Sequence, residues 1–95
     1  MNKKELYQKK LQAEFDQLSA EIDKLKAKAE LAQADAQLDY YNEIEKLRSM
    51  RDEAKSKLTE FNNASDDAWE DFKEGMDSAL KTLGNSLKSV TSKFK

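Results

Sequence analysis

The stretch LQAEFDQLSAEIDKLKAKAELAQADA, Leu11 to Ala36, decides the fold. Its apolar residues are Leu11, Phe15, Leu18, Ile22, Leu25, Ala29, Ala32 and Ala36, and the gaps between them alternate between four and three residues without a miss. That spacing keeps them all on one stripe of a slightly under-wound α-helix. Such a stripe does not stay in water, so the helix needs helical partners.

Toward the N-terminus, Asn2 or Lys3 opens the helix and Leu6 and Tyr7 lead into the stripe. Acid-to-base pairs four residues apart, such as Glu5 and Lys9, add a few tenths of a kcal/mol each on the outer face. Toward the C-terminus, the Ala-rich run KAKAELAQADAQ (26–37) has the highest helix propensity in the chain. At Tyr40 the period slips by one stutter and then resumes through Ile44, Leu47, Arg51, Ala54, Leu58 and Phe61. Arg51 interrupts this apolar series. It either sets the register or carries its guanidinium out of the seam. With no proline and two glycines in 95 residues, nothing stops the helix before about Phe61. The expectation is one helix over about 3–61.

Asn62-Asn63-Ala64-Ser65-Asp66-Asp67 is the one clear break. Asparagine tolerates the left-handed conformation at a helix end, and Asp67 with Glu70 reads as a variant capping box. The turn is placed at about 62–66 and a second helix at about 67–93. That helix carries Trp69, Phe72, Met76, Leu80, Leu83, Leu87, Val90 and Phe94 on one stripe, with Gly84-Asn85-Ser86 ending or kinking it.

Apolar and charged residues are each 38% of the chain, and the mean hydropathy is −0.96. This suits helices that bury one narrow stripe in a single domain. A net charge of −2 and the lack of a polybasic run argue against a nucleic-acid partner. Cysteine and histidine are absent, which removes thiol chemistry, the commonest general base and the commonest transition-metal ligand. No apolar segment near the N-terminus reads as a secretory signal, and none approaches membrane-spanning length. The expected location is cytoplasmic, with attachment to a membrane surface left open.

The resulting fold class is all-α: an antiparallel helical hairpin of unequal arms, 1–95 as one coiled-coil domain. Its expected core is Ile44, Leu47, Leu58, Trp69, Phe72, Leu80 and Leu83, with Trp69 over Leu58 and Phe94 over Ala32. Residues before about Ala29 would then overhang by roughly 40 Å. Leu11, Phe15, Leu18, Ile22 and Leu25 would lie uncovered, so these five form the expected seam of a homo-oligomer, a dimer or tetramer.

Three segments resemble a family of small coiled-coil proteins of cyanobacteria and proteobacteria associated with stress responses. They are AEIDKLKAKAE (20–30), YYNEIEKLR (40–48) and ASDDAWEDFKEGMDSAL (64–80), joined by a terminal SKFK (92–95). The third is the most distinctive. The family carries no established biochemical activity, so the resemblance implies a stress-linked context and no catalytic residue.

On these grounds the first functional reading is a non-catalytic structural or interaction protein that self-assembles and offers charged faces to a protein partner. The alternative is peripheral membrane binding. Residues 78–95 hold four lysines and no acid, with Leu80, Leu83, Leu87, Val90 and Phe94 opposite a face of Ser, Thr and Asn. The competing reading of that apolar face is ordinary packing on the first helix. Asp66, Asp67, Glu70, Asp71 and Glu74 could hold a divalent cation weakly, but an acidic helix start explains them better. No metal, cofactor or catalytic residue is expected, because a narrow coiled coil offers no cleft for paired carboxylates.

Overall fold

The structure is a computed structural model that describes residues 2–94. Within that range it is all-helical, with three helices: α1 (Lys3–Leu31), α2 (Ala34–Asn63) and α3 (Trp69–Lys93). Lys95, the last of the four C-terminal lysines, lies outside the described residues. Asn2 starts α1 by accepting a hydrogen bond from the Glu5 N–H at 2.9 Å on its side-chain oxygen.

The expected continuous helix over 3–61 is therefore two helices. One helix of that length would measure about 88 Å, whereas the molecule extends 51 × 19 × 18 Å. The reversal falls at Ala32 and Gln33, both extended, at φ −76°, ψ 157° and φ −65°, ψ 153°. No breaker residue is needed, because no described residue takes a positive φ. The Gln37 side chain donates to the Glu30 carbonyl at 3.3 Å, and the Gln33 carbonyl accepts from the N–H groups of Ala36 and Gln37. Orphaned groups on both sides of the reversal are thus satisfied locally.

Magnitudes explain why alanine-rich sequence breaks here. Starting a second helix costs roughly 4 kcal/mol, from a nucleation constant of about 10⁻³. Folding α1 back buries Leu11, Phe15, Ile22 and Leu25, all at most 9% exposed. Each such side chain contributes about 1.5–3 kcal/mol, so burial wins. Leu11, Phe15, Leu18, Ile22 and Leu25 consequently lie within one chain, Leu18 half-buried. The uncovered stripe that called for a dimer or tetramer does not exist.

The second connection also differs from expectation. Helix α2 continues to Asn63, Ala64 is extended, and α3 starts at Trp69. No left-handed asparagine is used. The N-cap of α3 is Ala68, without a side-chain cap bond, so Asp67 and Glu70 do not form a capping box. Instead the Ser65 carbonyl accepts from the N–H groups of Ala68 and Trp69, at 3.0 and 3.1 Å. The Lys4 ammonium donates to the Ala64 carbonyl at 2.6 Å and ties the start of α1 to this turn. Helix α3 runs through Gly84-Asn85-Ser86 unbroken.

The bundle is up-down-up: α2 is antiparallel to both neighbours, and α1 and α3 run parallel. Its core has two clusters. Ile22, Leu25, Ala29, Tyr40, Ile44, Leu47, Leu83, Leu87 and Val90 pack near the α1–α2 turn. Leu11, Phe15, Ala54, Leu58, Phe61, Trp69, Met76 and Leu80 pack near the α2–α3 turn, and Leu18 packs against both sets. Trp69 meets Phe61 edge-on at 6.0 Å, and Leu58, its expected partner, lies in the same cluster. Phe94 stacks on Tyr40 at 3.9 Å, where Ala32 was expected. The α2–α3 connection spans 64–68, as many residues as the expected turn over 62–66 but two positions later, and this moves the register of the two helices.

Neither glycine of α3 is required by packing. A Cβ on Gly75 would meet nothing within 4 Å, and one on Gly84 would meet only Leu18 Cδ2, at 3.9 Å. Gly75→Ala and Gly84→Ala should each raise the unfolding free energy by about 0.5–1 kcal/mol, read from the urea midpoint. A loss for Gly84→Ala would show that Leu18 cannot accept the methyl.

Candidate functional site

Sequence reasoning singled out three groups of residues. The first is the α1 stripe, now internal. The second is the expected hairpin core. Ile44, Leu47, Leu58, Trp69, Leu80 and Leu83 are buried, but Phe72 is 38% exposed. The cause is the third helix. Trp69 occupies the space between Tyr7 (ring centroids 5.7 Å apart) and Phe61, and Lys73 follows it one turn later with its ammonium 4.1 Å from the Tyr7 ring centroid. Phe72 is left on the rim. The third group is the proposed membrane face. Leu80, Leu83, Leu87 and Val90 are buried and Phe94 is half-buried, so the whole face packs into the bundle, with the Tyr40 hydroxyl donating to the Phe94 carbonyl at 3.1 Å.

The acidic residues Asp66, Asp67, Glu70, Asp71 and Glu74 are all exposed. Among the described residues no group of three or more Asp or Glu side chains converges to hold a metal ion. Glu70 and Asp71 lie in the first turn of α3, where the positive end of the helix dipole favours them. Arg51 leaves the apolar seam and reaches Asp52 at 3.5 Å on the surface, a pair of little energetic weight.

What the sequence reading missed is the junction of α1 and α3. Two parallel helices far apart in sequence meet there along three open grooves. The first, near the start of both helices, holds Tyr7, Trp69 and Lys73 with Glu70 and Glu74. The Tyr7 side chain, then Asp77 and Glu70, hold the Lys73 ammonium above the ordinary lysine value. The middle groove is mixed in charge, with Glu14, Asp77 and Lys81. The third, about 470 Å³, gathers Lys24, Lys28 and Lys88 with Glu21 as its acid. One signal was present in the sequence: Tyr7 lies four residues before Leu11 and extends the stripe by another step. Nothing in a linear reading brings Lys88 beside Lys24 and Lys28.

Large apolar side chains also point outward: Leu6, Leu31, Leu38, Tyr41 and Phe72, with Leu31 89% exposed. Leu31 and Leu38 flank the α1–α2 turn. Among the described residues no helix is long and apolar enough to cross a membrane.

No protein-family model matches the chain, and no curated protein or solved structure matches it significantly.

Ile22 and Phe72 separate the observed core from the expected one. Ile22→Ala should lower stability by about 2–5 kcal/mol. Phe72→Ala should cost less, although it removes more atoms. The reverse order in urea titrations would restore the hairpin packing.

Proposed function

We propose that this chain is a non-catalytic helical-bundle protein that acts through its surface, as a structural or interaction module. The observation that carries this reading is the division of its apolar residues. One set closes a core that, among the described residues, holds no buried polar or charged residue, and a second set stands outward on the bundle. The open grooves bring lysines, aromatics and isolated carboxylates together. They do not pair a nucleophile with a general base, or two carboxylates in a closed cleft. The link to stress rests on the three resembling segments alone. Self-association, if it is the interaction, uses outward side chains such as Leu31 and Leu38 and leaves the buried stripe intact.

Sedimentation across a wide concentration range, followed by affinity capture from a lysate, tests the reading. A mass that grows with concentration, or a stoichiometric captured partner, supports it. A chain that stays at 10.9 kDa and captures nothing overturns it.

The second reading, reversible binding of α3 to a membrane, is favoured by two observations. Helix α3 has the most sharply divided apolar and polar faces of the three, and its two interior glycines serve no packing need. Binding in this mode takes Leu80, Leu83, Leu87 and Val90 out of the core, so the bundle must open. Vesicle flotation combined with hydrogen exchange reads both steps. Flotation with loss of protection at Ile22, Ile44 and Leu47 amides is the expected outcome of this mode, and flotation with the core still protected excludes it.

A further inference from the structure

The third groove between α1 and α3 has an unusual lining for a chain of net negative charge. Lys24 and Lys28 come from α1 and Lys88 from α3. Among the described residues none of the three takes part in an ion pair. Glu21 is the one carboxylate in the lining, so the groove keeps a surplus of two positive charges. The floor is apolar, formed by Leu25 and Leu87, each 4% exposed.

The helix dipole accounts for part of this charge only. Lys28 lies in the last turn of α1 and offsets the carbonyl end of the helix. Lys24, and Lys88 in α3, lie further from their helix ends than that effect reaches. Gly84 adds an independent observation. A glycine inside a helix weakens it, and here a methyl group would meet only one atom, at an ordinary contact distance of 3.9 Å. Gly84 is among the residues that line the groove.

We propose that the groove of Lys24, Lys28 and Lys88 binds a phosphate monoester. The ammonium groups hold the dianionic phosphate, and the ester's organic part lies over Leu25 and Leu87. The surplus of two positive charges matches a monoester above its second pKa of about 6. A carboxylate, with one charge and two oxygens, would leave an ammonium without an acceptor. This assignment goes beyond the surface-interaction reading and survives its failure. The monoester comes from one of two sources: a soluble phosphorylated metabolite, or the headgroup of a phosphatidate lipid.

The test titrates glycerol phosphate into the full chain at constant ionic strength, read by amide chemical shifts, with sodium chloride as the control. Saturable shifts should concentrate at Lys24, Lys28, Gly84 and Lys88, and fade below pH 6 as the phosphate takes its second proton. Exposed charge pairs contribute a factor of about two to three each, so the variant K24Q/K28Q/K88Q should bind about tenfold more weakly. The variant K9Q/K26Q/K55Q makes the same change in net charge away from the groove and should bind as the parent does. Circular dichroism confirms that both variants are folded. Flotation on phosphatidate-containing vesicles separates the sources. Flotation that K24Q/K28Q/K88Q loses points to the lipid headgroup, and saturable glycerol phosphate binding without flotation points to a soluble ester. Shifts reproduced by chloride, or equal losses in both lysine variants, overturn the proposal.

Discussion

The stripe of α1 must be covered from two sides at once, and every other feature of the bundle follows from that. A single antiparallel partner would leave one flank of Leu11, Phe15, Ile22 and Leu25 wet. Helices α2 and α3 together bring Leu11 and Ile22 to full burial. Their own stripes are buried by the same contacts, so the three helices are stable only together. Apolar area supplies the stabilisation, because among the described residues no polar or charged residue is buried and the ion pairs lie on the surface, where each is worth little.

Polar contacts have a different task, which is to fix the ends. At one end Lys4 reaches the Ala64 carbonyl, and at the other the Tyr40 hydroxyl reaches the Phe94 carbonyl. Both bonds join residues more than fifty positions apart. Each meets a carbonyl near a helix C-terminus, where backbone acceptors lack intrahelical partners. The aromatic contacts sit at these same ends: Tyr7, Phe61 and Trp69 beside Lys4, and Tyr40 with Phe94. A three-helix bundle held by a smooth apolar stripe is prone to slip by a turn, and these end contacts oppose the slip.

Most of the core could be read from periodicity alone. The positions of α1 and α2 that proved buried are those spaced by three and four, and the outlier Arg51 turned outward as its charge requires. The helix ends were legible only where the side chain acts on its own backbone, as at Asn2. The reversal at Ala32–Gln33 was not legible. Alanine and glutamine favour helix locally, and the break is enforced by burial that takes place far away in sequence. The stutter at Tyr40 falls about two turns into α2, after the reversal rather than at it. Phe72 and the lysine groove were missed for one shared reason. Both depend on a third helix, whereas a stripe-matching argument considers helices two at a time.

The up-down-up path has a consequence for anything joined to the chain. Helix α1 begins beside the α2–α3 turn, and α3 ends beside the α1–α2 turn, so the two ends of the described chain leave from opposite ends of a rod 51 Å long. Segments attached before residue 2 and after residue 94 would be held apart by the full length of the bundle. A peptide linking its own two ends would need at least about 15 extended residues to bridge that distance.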